Sequence, residues 1–235
     1  LMNLLDFECE FLPSMQPKYF EYSIKSSDTK YAGFPIAGKV DRIDIGENSQ
    51  VAIVDYKGSV KTPYALFDKN SKTTNRAFPQ KLQTLIYAKI VCEKLKLLPQ
   101  ATLYLSYGRQ ISCAGAYTID VFVSSEIDEA KNNFNSGKMD ECISKLLPQD
   151  YDLDKDFNEP NSALDIQRDL LWAHCWATAK NKDTGSDDFS VLLDAVELYC
   201  SYFVKFWKNA DFACNPCSQD SCKYCAAAPF CESSV

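Results

Sequence analysis

The sequence predicts a mixed α/β (α+β) fold, a mixed β-sheet flanked by helices. Three segments near the start show the alternation or the apolar run that is typical of strands. A segment with apolar residues at i, i+3 and i+4 spacing then predicts a helix, and two more strand segments follow it. The order strand, strand, strand, helix, strand, strand favours a mixed sheet with this helix packed on one face.

The first three strands are expected to form an antiparallel unit. Residues 19–24 alternate, 36–45 alternate up to the turn residues that begin at Gly46, and 51–57 begin with four apolar residues. A strand that begins in this way is typical of one buried on both faces. We therefore expect the polar residues at the end of the third strand to emerge at a cleft.

The predicted helix follows a long polar segment. Residues 59–79 contain proline, aspartate, asparagine and serine, which predicts a loop of the functional or disordered kind. Apolar residues at 82, 85, 86, 90 and 91 then form one face of an amphipathic helix, and Pro99 lies just beyond its end. The last two predicted strands span 101–107 and 116–123.

Further helices are predicted in the second half. One begins at Ser125 with early acidic residues, an acidic loop covers 148–160, and two more helices span 163–182 and 187–208. His174, the only histidine, lies on an apolar helix face and is expected to be structural. Within one compact unit, we divide the chain into a core at 1–125, a helical extension at 126–213 and a cysteine-rich segment at 214–235.

Charge and hydropathy limit the partners. The net charge of −7 has the wrong sign for a protein that captures nucleic acid by itself through phosphate neutralisation. The chain contains no run of 18 apolar residues and no signal-like start, so we expect a soluble, cytoplasmic protein without a membrane partner. Its start at Leu1, directly before Met2, suggests a fragment of a longer protein.

A charged constellation at the predicted hairpin points to chemistry. Asp55 and Lys57 share one face of their strand while Tyr56 points away, and Asp41 meets them from the partner strand. Two carboxylates that converge with one ammonium can hold a hard divalent cation and leave the amine to orient or deprotonate a water. The pattern predicts hydrolytic chemistry; the alternative is an amphipathic strand whose charges face solvent.

Three motifs in order resemble those of the RecB-like nucleases in the PD-(D/E)XK superfamily. They are Gly38-x-x-Asp41-Arg42-x-Asp44, Asp55-Tyr56-Lys57 and Gln83-x-x-x-Tyr87. The resemblance covers roughly residues 19–110 and 200–231. It is strongest to the carboxy-terminal nuclease domain of the AddB subunit of bacterial AddAB helicase-nucleases, with CRISPR-associated RecB-like exonucleases as cousins. It implies the restriction-endonuclease-like form of the predicted fold, with residues 1–125 as the nuclease core.

The resemblance also implies the metal ligands. Asp41, Asp55 and the backbone carbonyl of Tyr56 would hold Mg²⁺, which keeps several waters, and Mn²⁺ should substitute. Lys57 would act on the attacking water and on the charge of the transition state. The metal-binding histidine that many relatives have upstream of the first strand has no counterpart in this chain.

Three further residues have implied supporting roles. Gln83 and Tyr87 are four apart and share a helix face, which in relatives looks onto the active site. The alternative for this pair is an ordinary polar stripe. Glu21, on the first strand, resembles a supporting acid of the family; its alternative is an exposed surface residue.

The carboxy-terminal cysteines form the second strong signal. Cys222, Cys225 and Cys231 have C-x2-C-x5-C spacing, and Cys214 and Cys217 precede them. Such thiolates can hold zinc or a [4Fe-4S] cluster, and the spacing alone favours neither. The resemblance implies a [4Fe-4S] cluster in the parent protein, which clasps the tail onto the core, with zinc as the alternative. The fourth ligand could be Cys214, Cys217 or a residue of a missing segment, since the setting of Cys9 does not match the family. The remaining scattered cysteines are expected to be core residues.

The function implied by the resemblance is that of a Mg²⁺-dependent DNA nuclease domain. It would hydrolyse a single strand fed by a helicase subunit or helicase domain during recombinational repair of double-strand breaks. Two alternatives remain. One is a stand-alone CRISPR-associated RecB-like exonuclease, and the other is an inactive nuclease-fold scaffold that positions DNA or a partner.

Overall fold

This computed structural model describes residues 7–8, 11–60, 81–108, 111–118, 152–153, 155, 157–182 and 188–211. The helix predicted from Ser125 and the cysteine-rich segment lie outside these residues. The strands and helices follow in chain order: β1 (Met15–Ile24), β2 (Lys30–Tyr31), β3 (Phe34–Pro35), β4 (Gly38–Gly46), β5 (Gln50–Lys57), α1 (Gln83–Leu95), β6 (Leu98–Ser106), β7 (Cys113–Tyr117), α2 (Arg168–Lys182) and α3 (Asp188–Lys208).

Five strands form a mixed sheet in the order β1-β4-β5-β6-β7. β5 and β6 run parallel, whereas the other neighbouring strands are antiparallel. The parallel pair needs a crossover, and α1 lies in it. The predicted fold, a mixed sheet flanked by helices, is therefore confirmed. The predicted antiparallel unit is also confirmed and consists of β1, β4 and β5. A separate short hairpin pairs β2 with β3.

Three strands begin three or more residues earlier than predicted, and the first of them is β1, which begins at Met15 and not at residue 19. β6 begins at Leu98, and Pro99 lies inside it opposite Val51, immediately before a shift in register. β7 begins at Cys113, where the run Cys-Ala-Gly-Ala has weak strand propensity. Its Gly115 has φ +142°, and a Cβ there would come within 2.0 Å of the Thr102 carbonyl oxygen. The pairing of β7 with β6 therefore depends on a close approach of the two backbones at Gly115, and strand propensity could not indicate it.

The helix predicted from residue 163 begins later. Residues Ala163–Asp165 form a short 3-10 turn, in which the Ser162 amide donates to Asp165 Oδ2 at 3.1 Å. The backbone becomes extended at Ile166 and the α-helix begins at Arg168. The capping interaction between Ser162 and Asp165 therefore belongs to this short turn and not to α2.

Apolar side chains cover both faces of the sheet. On one face the three helices bury a core that includes Trp172, Trp176 and Phe189. α2 and α3 pack against each other and α3 also contacts α1, so the described part of the helical extension shares this core with the sheet. On the other face, Phe7, Phe11, Leu12 and Met15 cover β5 and β6. Among the described helices, none is long and apolar enough to span a membrane.

Candidate active site

The acidic residues of the hairpin meet at one edge of the sheet. Arg42 of β4 pairs with Val54 of β5, so the next position along each strand brings Asp41 opposite Asp55. The backbone amide of Tyr56 donates a hydrogen bond to Asp41 Oδ2 at 2.8 Å. This bond turns the Asp41 carboxylate toward the end of β5, where Asp55 lies.

Asp55 is the buried member of the pair, with 2% of its surface exposed. Its Oδ2 atom forms an ion pair with the Lys57 ammonium, yet no hydrogen bond of good geometry reaches this buried atom within the described part of the chain. Burial raises the pKa of Asp55, contact with Lys57 opposes that rise, and the charge of Asp41 adds to it. The buried carboxylate is thus incompletely neutralised.

Lys57 bridges the acids and the helix. Its ammonium contacts Asp55 and donates to Gln83 Oε1 at 3.3 Å. Partial burial alone would lower the pKa of Lys57, but contact with Asp55 outweighs it, so the pKa is raised. The side chain is 27% exposed, and a ligand at the sheet edge can therefore reach a positively charged group.

Two residues one turn apart on α1 face this edge. Gln83, the first residue of α1, contacts Lys57, whereas Tyr87 lies over Gly38 at the start of β4. A Cβ on Gly38 would come within 2.6 Å of the Tyr87 hydroxyl oxygen. The glycine of the first motif therefore makes room for the tyrosine of the third, and this contact fixes α1 against the strand that carries Asp41.

Glu21 lies apart from this cluster. It sits in β1 between the pairs Phe20↔Arg42 and Tyr22↔Val40, across from the position of Asp41. Its side chain is 63% exposed and forms an ion pair with Lys39 at 2.7 Å, and its backbone has φ +52°. The structure thus places Glu21 near the site along the strand but pairs it with a surface lysine.

The oxygen atoms available to a cation are few but suitable in type. Asp41 and Asp55 are of like charge and lie close enough for Asp41 to raise the pKa of Asp55, and the buried Asp55 Oδ2 is compensated only by its ion pair with Lys57. A hard divalent cation between two such carboxylates would relieve both conditions. Over the described ranges, no group of three or more His, Cys, Asp or Glu side chains is able to hold a metal. A cation here would therefore need the Tyr56 carbonyl and water to complete its ligands.

The sequence did not single out Tyr104, which the structure places in this site. It lies in β6 as the register partner of Asp55 and is 2% exposed. Its hydroxyl accepts a hydrogen bond from the Thr84 amide at 3.3 Å, and the Lys57 Nζ atom lies 5.8 Å from its ring centroid. An aromatic residue in a predicted strand was a weak signal, because the register between β5 and β6 depends on the crossover.

A second group of buried charges lies on the opposite face of the hairpin. Arg42 donates to both carboxylate oxygens of Asp44, at 2.7 and 2.6 Å, and to the Tyr56 hydroxyl at 3.0 Å. Glu8 accepts from that hydroxyl at 2.7 Å and forms an ion pair with Arg42. The motif contained Arg42, Asp44 and Tyr56, but their network was not predicted. In the sequence, the only sign of this network was the pair of opposite charges of Arg42 and Asp44, which are separated by one residue in an apolar strand.

The predicted structural residues behave as a packed core. His174 stacks on Phe157 with ring centroids 3.8 Å apart, and burial lowers the pKa of the imidazole. Cys113 and Cys175 are buried, whereas Cys92 and Cys200 are half-buried. The cysteines proposed as cluster ligands lie outside the described residues: Cys9, Cys214, Cys217, Cys222, Cys225 and Cys231.

Comparison with known protein families matches residues 4–232 to the PD-(D/E)XK nuclease superfamily. The match spans the hairpin acids, Lys57, the helix with Gln83 and nearly all of the second half of the chain. No individually curated protein matches the chain. A nuclease family match over almost the whole length agrees with the mixed sheet and with two carboxylates and a lysine at its edge. The chain belongs to the PD-(D/E)XK nuclease superfamily.

Proposed function

We propose that this protein is a Mg²⁺-dependent deoxyribonuclease that hydrolyses phosphodiester bonds at the sheet edge formed by β4, β5 and α1. The observation that carries the proposal is the convergence of Asp41 and Asp55, beside a Lys57 ammonium that Gln83 holds at 3.3 Å. Family membership supports nuclease chemistry; the choice of DNA and of Mg²⁺ is our inference from this donor set.

Asp41, Asp55 and the Tyr56 carbonyl would hold the cation. When bound, Mg²⁺ or Mn²⁺ would supply Lewis acidity, which polarises a phosphoryl oxygen and lowers the pKa of water. The Tyr56 amide keeps Asp41 oriented, and Lys57 is the ion-pair partner of the buried Asp55 Oδ2 atom. Both residues therefore serve as fixed anionic ligands.

Lys57 would stabilise negative charge and not abstract a proton. Its raised pKa favours the ammonium form, which suits a group that faces the extra charge of a phosphoryl-transfer transition state. Gln83 accepts from this ammonium and limits its motion. Tyr87 and Glu21 would act at a distance, Tyr87 through the contact of α1 with Gly38 and Glu21 through its pairing with Lys39 beside Asp41.

The test is cleavage of end-labelled single-stranded and duplex DNA with Mg²⁺, with Mn²⁺ and with a chelator. We expect cleavage only with a cation, and none from Asp55→Ala at any Mg²⁺ concentration. Asp28→Asn is the matched control, because Asp28 is 60% exposed and pairs with Lys94 outside the site. Undiminished cleavage by Asp55→Ala would refute the assignment, and calorimetric titration with Mn²⁺ should show weaker binding by that variant.

We also propose that a helicase subunit or helicase domain delivers a single strand to this site, as in AddAB-type recombinational repair. The support is the net charge of −7, since an acidic nuclease gains little affinity from phosphate neutralisation. The isolated chain should then bind DNA weakly, with an affinity that a helicase partner raises. Tight, salt-dependent binding by the chain alone would favour a stand-alone exonuclease, and a chain that binds DNA but never cleaves it would favour a scaffold.

We further propose a [4Fe-4S] cluster in the parent protein, held by Cys222, Cys225, Cys231 and a fourth cysteine; the spacing permits a cluster or zinc, and the resemblance to AddB-like nucleases favours the cluster. Anaerobically purified parent protein should contain iron and acid-labile sulfide and absorb visible light. Cys225→Ser should lose the absorbance and lower stability, because a cluster that closes the tail couples metal binding to folding. Stoichiometric zinc without iron would replace the cluster by a zinc site and leave the nuclease proposal intact.

A further inference from the structure

Tyr104 of β6 lies next to Asp55 in the sheet, beside the candidate active site. It is the register partner of Asp55 on the parallel strand, and both residues are 2% exposed. Register partners on neighbouring strands direct their side chains to the same face of the sheet. The Tyr104 ring therefore lies on the face that carries Asp55, Lys57 and α1.

The Tyr104 hydroxyl completes the start of α1. The amides of the first turn of a helix have no partner within the helix and need an acceptor from elsewhere. Leu82 occupies the N-cap position and provides no side-chain acceptor. The Thr84 amide donates to the Tyr104 hydroxyl at 3.3 Å, so a residue of β6 performs the capping that the local sequence lacks.

The same side chain also touches the lysine. The Lys57 Nζ atom lies 5.8 Å from the Tyr104 ring centroid, within the range in which an aromatic face attracts an ammonium. Tyr104 thus contacts Lys57 through its ring and, through its hydroxyl, the Thr84 amide next to Gln83, which accepts the Lys57 hydrogen bond.

We propose that Tyr104 is a positioning residue for the reaction: its hydroxyl fixes the first turn of α1, so that Gln83 holds the Lys57 ammonium beside Asp55. What Lys57 is positioned for rests on the proposed nuclease function, whereas the positioning itself does not. Because Lys57 acts in the chemical step, loss of the hydroxyl should lower kcat and leave KM unchanged.

The first test is a double-mutant cycle on cleavage. Tyr104→Phe retains the ring and removes only the hydroxyl, and kcat should fall roughly fivefold, the value of one lost hydrogen bond. In a Gln83→Ala background the same change should have no further effect, because the hydroxyl acts through Gln83. Tyr31→Phe, an equally conservative change at a buried tyrosine of the β2–β3 hairpin, should leave kcat unchanged. Independent, multiplying effects of Tyr104→Phe and Gln83→Ala would overturn the proposal.

The second test does not need cleavage. The rate at which an amine-reactive reagent labels Lys57, followed by mass spectrometry, rises when this amine loses its contacts and therefore measures how firmly the side chain is held. Tyr104→Phe and Gln83→Ala should each raise this rate by a similar factor, and the double variant should raise it no further. An unchanged labelling rate in a folded Tyr104→Phe protein would overturn the proposal. If the wild type proved unable to cleave DNA, the proposed function would fail while the labelling cycle still decided the role of Tyr104.

Discussion

The two faces of the β4–β5 hairpin bury charge in opposite ways. On one face Arg42 satisfies both oxygens of Asp44, and Glu8 and Tyr56 complete the network. On the other face Asp55 faces Asp41, a like charge, and its buried Oδ2 atom has only an ion pair. One face uses its hydrogen-bonding capacity internally, whereas the other keeps acceptor capacity for a ligand.

This difference separates carboxylates that stabilise the fold from carboxylates that are still available to a ligand. Buried charges that are fully paired are costly to separate, since removal of one leaves the other without compensation. Buried carboxylates that are only partly compensated reduce stability and are found at functional sites. The same two strands thus carry a structural ion network and a candidate active site, separated by the thickness of the sheet.

The largest expected effect comes from a substitution that disrupts the ion network of Arg42 and Asp44. Asp44→Ala should lower the free energy of unfolding by about 3–5 kcal/mol, because Arg42, 3% exposed, loses its bidentate partner. Urea denaturation followed by circular dichroism measures the change. A loss below about 1 kcal/mol would mean that this network is not the stabilising face of the hairpin.

The next effect concerns the face of the hairpin that carries Asp41, Asp55 and Lys57. Lys57→Met should reduce kcat on the order of a hundredfold, because it removes charge stabilisation from the transition state. The free energy of unfolding should fall by less than in Asp44→Ala, because Lys57 is 27% exposed, although the buried Asp55 loses its ion-pair partner. Steady-state cleavage and urea denaturation on the same preparation test both parts. A variant that is strongly destabilised but cleaves normally when folded would reverse the assignment of the two faces.

A smaller change in the free energy of unfolding, opposite in sign to that of Asp44→Ala, is expected at Asp55. Asp55→Asn should abolish cleavage yet raise the free energy of unfolding by roughly 0.5–2 kcal/mol in chelator at neutral pH, since an undercompensated buried charge is removed. Because the folded pKa of Asp55 is raised, the folded protein binds the proton more tightly than the unfolded chain. The wild type should therefore lose stability relative to the variant as pH rises from about 4 through the raised pKa.

The contrary outcome is as informative. A variant less stable than the wild type at neutral pH would show that the ion pair with Lys57 compensates Asp55 fully. Parallel denaturation curves at several pH values, with the chelator present throughout, measure the difference directly.

The smallest effect comes from His174, which belongs to neither charge cluster of the hairpin. Its titration contributes to any dependence of the free energy of unfolding on pH. Burial lowers its pKa, so the unfolded chain binds a proton more readily than the folded one, and stability should fall as pH drops below about 6.5. The loss should stay under about 1 kcal/mol, because the ring is partly exposed. The chain has one histidine, so a single imidazole resonance in proton NMR reports the pKa. A value at or above that of a free histidine would contradict the stacking on Phe157.

Local patterns were sufficient for much of this architecture. Alternation and turn residues predicted β4 and β5, the apolar spacing predicted α1, and side-chain parity put Asp55 and Lys57 on one face with Tyr56 on the other. Features that depend on distant pairing were not predictable. The place of Tyr104 beside Asp55 depends on the parallel register of β6, and the partner of Tyr56 comes from Glu8, far along the chain. Glu21 was suggested as a supporting acid, but its backbone at φ +52° and its pairing with Lys39 depend on tertiary contacts.

The parallel pairing of β5 with β6 has a consequence for the order of assembly. The hairpin that carries both acids is local and can close within microseconds, whereas Gln83 and Tyr104 reach it only after the crossover has formed, a contact of high sequence separation. Asp41 and Asp55 can therefore lie opposite each other before Gln83 and Tyr104 contact Lys57. A chain that emerges from the ribosome would then pass through a catalytically silent hairpin, and cleavage would begin only when the parallel strand docks.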